Sequence, residues 1–279
     1  MEKQTSQDIL AAPVEVLRRS LRRALPHSAF QALAEMTNAF YGCRAMPWKE
    51  YRRLRSGCVD KCRAQRPIEA YAFRNLQHPL WLRPGTDDPV QTIQSVVREA
   101  YGKLTPRGPI ELVIDAGAGI GDTTAWYLSK FPEATVVALE PDGENFEMLE
   151  RNCRPYGERA VLMNRALWSE SARLRLLPGG GKAGVRVGTV PDGDPFDCEG
   201  VPIEAMLREV GKKQVDILKM DIEGAESVIF QHQDLRWIDR TRCMFIETHG
   251  PEAEAITLAA MRGRGFQHWR YREFHVFHR

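Results

Sequence analysis

Residues 111–128, ELVIDAGAGIGDTTAWYL, constrain this chain more than any other stretch. An apolar run ends in Asp115, glycines follow at 117, 119 and 121, and an amphipathic helix begins. Such a strand, tight turn and helix N-terminus can cradle a nucleotide-like ligand, because the glycines let backbone come close to it. A second apolar run, ATVVALE, ends in Glu140, 25 residues after Asp115. A carboxylate there can accept hydrogen bonds from both hydroxyls of a ribose. Together the two runs predict a cofactor site.

Around this unit the pattern alternates. Apolar runs predict strands over 111–115, 135–140, 160–163, 215–220 and 243–247. Helical spacing predicts helices over 122–130, 143–153, 202–210, 224–231 and 252–263. Short β segments, 173–177 and 185–187, flank the turn Gly179, Gly180 and Gly181. A hairpin, 266–270 and 274–278, closes the chain. Strands alternating with helices give an α/β fold, a doubly wound and mostly parallel sheet. The hairpin implies one antiparallel edge strand.

Upstream the texture differs. Short strands and a turn at Pro84-Gly85 precede a helix over 89–101, with Val90, Ile93, Val97 and Tyr101 on one face. Residues 8–40 read as helical, with Val14, Leu17, Leu21 and Leu25 at helical spacing. Pro26 breaks that stretch and Ser28 can cap the next helix. A further helix is expected over 47–66. The chain thus divides into a helical, basic extension, 1–70, and an α/β domain, 71–279.

Charge separates the same two parts. Residues 1–80 hold 14 Lys and Arg against 7 Asp and Glu, whereas the rest hold 25 against 30. No aromatics interleave with the arginines as single-stranded nucleic-acid sites require, so a solvated helix face is favoured over a nucleic-acid grip. No apolar run approaches the roughly 20 residues of a membrane helix. The start, MEKQTSQD, lacks the apolar core of a secretory signal, so a cytoplasmic protein is expected. The six cysteines form no C-x-x-C pair and are expected to be reduced thiols without zinc.

Nicotinamide enzymes use G-x-G-x-x-G. Here the order is Asp-x-Gly-x-Gly-x-Gly, and Asp115 stands where a diphosphate needs its nearest backbone donors. A carboxylate repels two phosphates but tolerates an amino group and a sulfonium. S-adenosylmethionine therefore fits better than NAD. Asn164, at the end of the third strand, either reaches the adenine or caps a turn.

VDILKMDIEGAE, 215–226, ends its strand in Asp221, and MFIETHG, 244–250, ends in Glu247 followed by His249. Carboxyl ends of neighbouring parallel strands face one crevice. Asp221, Glu223, Glu247 and His249 are thus expected to converge beside the cofactor. They could hold a divalent cation such as magnesium through Asp221, Glu247 and His249, serve as general base, or orient one another. Lys219 is expected to pair with Glu226 or another carboxylate.

The motifs DAGAGIGDTT, LEPD, NRALWS, VDILKMDIEGAE and FIETHG, in that order, resemble the FkbM-type family of S-adenosylmethionine-dependent methyltransferases. The upstream segment LWLRPGTDDPVQTIQSVVREAY is similar too, through Arg83, Thr86, Asp88, Gln94 and Tyr101. The likeness spans roughly residues 80–278. Asp87 departs from it, since the family often has Ser there, and residues 1–70 lie outside its motifs. The resemblance implies a class I methyltransferase fold of seven strands, the last antiparallel. It implies Asp115, Gly117, Gly119 and Glu140 as cofactor contacts, and Arg83 to Gln94 as part of the wall over cofactor or substrate. With the strand-end positions read above, the candidate cofactor contacts also include Asn164, Asp221 and Gln94, and the candidate substrate contacts are Arg83, Asp88 and Glu223. It also implies methylation of a small molecule, often a sugar or natural-product hydroxyl. N-methylation of a natural product or peptide, and RNA methylation using the basic extension, are the alternatives.

For a hydroxyl acceptor, His249 or else Glu223 is the expected base, with Asp221 and Glu247 orienting it or binding metal.

Overall fold

The computed structural model describes residues 26–59, 67–102, 106–177, 185–191 and 193–279. Residues 8–25, Cys62 and the triple-glycine turn lie outside the described residues. Helix α1, His27–Ala45, starts after Pro26 as N-cap, so Ser28 falls inside its first turn rather than capping it. Pro26 supplies no side-chain cap, and its extended ψ of 147° marks where the helix begins. Helix α2, Trp48–Val59, follows. Strands β1, Glu69–Tyr71, and β2, Leu80–Leu82, pair antiparallel. The expected division at residue 70 therefore falls within β1. Tyr51 and Leu54 of α2 share one buried cluster with Val113 and Ile217 of the central sheet.

The helix expected over 89–101 is shorter. Helix α3, Asp88–Thr92, runs on as a π-helical turn, Ile93–Val97. It ends before Glu99, whose φ is +51°, outside the helical range. Tyr101 leaves the helix face and packs on Phe245 and Phe274 instead.

The alternating region then runs as the pattern predicts. Strand β3, Leu112–Ala116, leads to α4, Asp122–Lys130. Strand β4, Thr135–Leu139, leads to α5, Gly143–Cys153, and then β5, Ala160–Met163. Four short strands follow: β6, Arg165–Leu167; β7, Ala172–Leu177; β8, Arg186–Thr189; and β9, Cys198–Val201. They form a separate sheet in the order β6-β9-β7-β8. Helix α6, Ile203–Glu209, precedes β10, Val215–Met220. Helices α7, Glu226–Gln231, and α8, Arg236–Asp239, precede β11, Thr241–Glu247. Helix α9, Pro251–Met261, and the hairpin β12, Gln267–Tyr271, and β13, Phe274–His278, complete the chain.

The main sheet has the order β12-β13-β11-β10-β3-β4-β5. Every residue of β3 and β10 is buried, as a parallel strand covered on both faces requires. Val113 and Ile217 belong to one core cluster, while Leu112, Ile114 and Leu218 belong to the other. That alternation marks the two faces of the sheet.

The antiparallel strand is the last one, as expected, but it is not at the edge. Strand β13 pairs antiparallel with both β11 and β12, so β12 takes the edge. Side chains explain the choice. FHVFH of β13 is almost wholly buried, whereas QHWRY of β12 is mostly open. The more apolar strand goes inside.

Candidate active site

The glycine turn after β3 is held in conformations that favour glycine. Gly117, Gly119 and Gly121 have φ of 74°, 54° and 83°. At Gly117 a Cβ would lie 1.8 Å from the carbonyl oxygen of Asp221, so the loop after β3 and the end of β10 touch backbone to backbone. The amides of Gly117 and Ala118 donate to the Leu139 carbonyl at 3.0 and 2.9 Å, tying the turn to the end of β4.

Glu140 sits at that same end and is 5% exposed. Its Oε2 accepts from the Gly119 amide at 2.8 Å and its Oε1 from the Asp142 amide at 3.0 Å. Each oxygen keeps a second lone pair for a ligand hydroxyl. Burial pushes the carboxyl up to about 7, against the two amide bonds and Lys219.

Asp115 is completely buried beneath the turn. Thr124 Oγ1 donates to its Oδ2 at 2.7 Å, and Lys219 Nζ stands 3.2 Å from its Oδ1 as an ion pair off hydrogen-bond geometry. Lys219 thus pairs with Asp115 rather than Glu226. Burial alone would lower the Lys219 pKa, but Asp115 and Asp221 outweigh it and hold the ammonium above its ordinary range. Asp115, expected as a cofactor contact, is therefore offset in charge and does not line the cavity above it.

A cavity of about 230 Å³ opens over the carboxyl ends of the strands. Gly117, Gly119, Glu140, Gln94, Arg83, Asp88, Asp221, Glu223 and Glu247 all line it, as do Asp122 and Glu273. Carboxylates outnumber the two lining cations, Arg83 and Lys219, and both cations are already paired. Arg83 grips Asp88 through Nε at 2.8 Å and Nη2 at 2.9 Å, and Nη2 also reaches Asn145 Oδ1 at 2.7 Å. Asn164 lies outside the wall, where its Nδ2 donates to the carbonyls of Glu140 and Pro141 at 2.8 and 3.2 Å.

His249 stands just behind the wall. Its Nδ1 meets Oε1 of the fully buried Glu226 at 2.9 Å. Its Nε2 lies 3.5 Å from Glu223 Oε2 and 3.8 Å from Asp221 Oδ1. Burial would lower its pKa, yet Glu226, Glu223 and Asp221 raise it to about 9. Burial, helped by Asp221 and Glu273, lifts Glu247 to about 7. Glu223 is held at φ +55°, a left-handed conformation that costs a non-glycine residue about 1 kcal/mol or more. One donor atom each from Asp221, Glu247 and His249 fall within 4.8 Å of one another.

The family model for the methyltransferase FkbM domain matches residues 115–272. The chain belongs to this family. This methyltransferase is 27% identical over 182 residues to a protein called methyltransferase 1 from Beauveria bassiana (strain ARSEF 2860), a match covering 54% of the chain and 71% of that relative. Among solved structures, FkbM methyltransferase from Methylobacillus flagellatus aligns with a TM-score of 0.44 at 15% identity. That alignment covers 82% of this chain and 59% of the other. A precorrin-6y C5,15-methyltransferase from Geobacter metallireducens aligns with a TM-score of 0.34 at 10% identity, over 61% of this chain and 79% of that one.

Some lining residues of the methyltransferase escaped the sequence reading. Asp122, buried at the start of α4, accepts from Ser95 Oγ in the π-helical turn. Burial raises its carboxyl to about 6, against that bond. Only the pairing of α4 with an upstream segment reveals this contact, and no spacing within either element signals it. Glu273 and Phe274 enter because β13 pairs with β11, setting Phe274 beside Glu247 in register.

Proposed function

We propose that this methyltransferase uses S-adenosylmethionine to methylate a hydroxyl of an uncharged small molecule, a sugar or natural product. One observation carries the reading. The bare glycine turn and Glu140 share a single cavity with the carboxylates at the ends of β10 and β11.

The residues suit the cofactor. A Cβ at Gly119 would meet only Gln91 Oε1, at 3.7 Å, so backbone is left open toward the cavity. Glu140 would accept the ribose hydroxyls. Gly117, Gly119 and Gln94 would flank the rest, and Asp221 would face the cationic end. When bound, S-adenosylmethionine supplies a methyl group on a good leaving group, which needs no proton from the protein.

The acceptor must be aligned with that carbon and lose its proton. Glu223 lines the cavity and His249 does not, so Glu223 is the residue that touches the hydroxyl. His249, 3.5 Å from Glu223 and anchored by Glu226, orients it. Asp221, Glu247 and His249 also fit a divalent cation such as magnesium. With Nδ1 committed to a carboxylate, Nε2 is the nitrogen left for a metal, and a metal there would replace its contact with Glu223. A bound cation would acidify a nearby hydroxyl. The carboxylate-rich wall supports an uncharged acceptor, or an amine, over a phosphodiester such as RNA.

Calorimetric titration with S-adenosylhomocysteine tests the cofactor. Incubation of candidate extracts with methyl-labelled S-adenosylmethionine, read by mass spectrometry, tests the acceptor. A dinucleotide that binds where S-adenosylhomocysteine gives no heat would overturn the reading.

A further inference from the structure

Lys219 and Asp115 are register partners on adjacent parallel strands, both buried. A buried ion pair is a poor way to stabilise a sheet, because desolvation offsets much of the attraction and apolar residues do as well. This pair lies at the carboxyl ends of β10 and β3, where the sheet meets the cavity. Lys219 Nζ also donates to the Gly117 carbonyl and lies 3.9 Å from Asp221 Oδ2.

The next peptide group is consequently held at both ends. Its carbonyl, on Gly117, accepts from Lys219, and its N–H, on Ala118, donates to Leu139. Glycine has no Cβ to bias its dihedrals, so this turn needs such outside anchors to keep one shape. Lys219 is the anchor that reaches both the turn and Asp221, the carboxylate read above as facing the cationic end of the cofactor.

We propose that Lys219 is a positioning residue: it fixes the Gly117–Ala118 peptide and draws Asp221 toward the same ammonium, shaping the end of the site that receives the amino-acid part of the cofactor. This rests on the reading of the cavity as an S-adenosylmethionine site. Glu140, at the ribose end, makes none of the hydrogen bonds that Lys219 makes; it is held by the Gly119 and Asp142 amides and feels Lys219 only through its charge.

The test separates positioning from charge neutralisation and from fold. Lys219→Met strands the Asp115 charge, so Lys219→Met/Asp115→Asn is made beside it. Wild type and both variants are titrated with S-adenosylhomocysteine and with adenosine, and near-ultraviolet circular dichroism reads their fold. The folded double variant is expected to bind S-adenosylhomocysteine about tenfold more weakly, as loss of one hydrogen-bonded anchor predicts. Its adenosine affinity is expected to stay within about twofold of wild type, since that probe needs only the Glu140 end. Wild-type affinity for S-adenosylhomocysteine in the double variant would show that Lys219 only neutralises Asp115, and the proposal falls. Equal weakening of both probes, or failure of both variants to fold, assigns Lys219 a structural role and also overturns it. If wild type itself gives no heat with S-adenosylhomocysteine, the cofactor reading fails first, and the two failures are told apart.

Discussion

The carbonyl oxygen of Asp221 occupies the place where a side chain on Gly117 would begin, 1.8 Å from a Cβ built there. The turn after β3 and the end of β10 are therefore in contact that only glycine permits, at a φ of 74° that a side chain resists. Gly117→Ala is expected to lose at least about 2 kcal/mol of stability, from left-handed strain and the clash together. A shift of the urea midpoint measures this. The same variant is expected to give no heat with S-adenosylhomocysteine, because either the turn or Asp221 has to move.

Glu140 makes cofactor affinity depend on pH. Its carboxyl is raised to about 7, so it is mostly protonated at pH 6 and mostly ionised at pH 8. The ionised form accepts hydrogen bonds at both oxygens, and a ribose diol donates two. Affinity for S-adenosylhomocysteine is thus expected to rise from pH 6 to pH 8 and to fall as protons return. In Glu140→Gln the binding is expected to be weaker and the contribution of this group to the pH dependence absent. A wild-type slope retained in the variant would assign the titration to another group, such as Asp122.

Much of the α/β core was legible because its signals are local. Helices 122–130 and 143–153 and strands 160–163 and 215–220 stand where periodicity put them. Strands β6 and β9 were not legible, being three and four residues long, and in β9 Gly200 takes the place of a packing side chain beneath Trp168. The position of β13 inside β12 depends on which hairpin strand is more apolar, a comparison between strands rather than a pattern within one. The convergence of Asp221, Glu223, Glu247 and His249 follows from parallel strands ending together. The partner of Lys219 was not readable, because only register sets Asp115 rather than Glu226 across from it.

Arg83 and Asp88 are expected to act first on each other. Asp88 accepts from the Arg83 backbone amide at 2.9 Å as well as from its guanidinium. Asp88→Asn leaves a largely buried guanidinium short of its counter-charge, which is expected to lower stability by about 3 kcal/mol. Asn145→Ala removes one neutral partner of the same guanidinium and is expected to cost about 1 kcal/mol. Thermal melts of the two variants and their combination give the coupling. Melts indistinguishable from wild type in Asp88→Asn would mean that solvent replaces the carboxylate.

Turnover separates Glu223 from His249. Glu223→Gln keeps the shape of the side chain and removes its ability to take a proton, so kcat on a hydroxyl acceptor is expected to fall by about 10²-fold or more. His249→Ala leaves Glu223 in the wall but unoriented, and a smaller loss is expected. The labelled-methyl assay reads both. A larger loss in His249→Ala than in Glu223→Gln would reverse the two roles.

A cation at Asp221, Glu247 and His249 is testable without any acceptor. The ligand atoms lie within 4.8 Å of one another, and Glu226 backs the imidazole as carboxylates back metal-bound histidines elsewhere. Manganese, a paramagnetic probe for a magnesium site, is expected to bind the wild type and give a broadened bound-ion signal by electron paramagnetic resonance, distinct from the sharp lines of the free aqueous ion. Asp221→Asn removes a ligand charge and is expected to abolish that signal. Glu226→Gln keeps the hydrogen bond to Nδ1 only if its amide turns its oxygen inward, and it loses the negative charge that strengthens the imidazole. Removing such support weakens metal sites by about 10-fold to 100-fold, and the same range is expected here. Equal manganese binding in wild type and Asp221→Asn would place the ion elsewhere and leave the four side chains to work on the acceptor unaided.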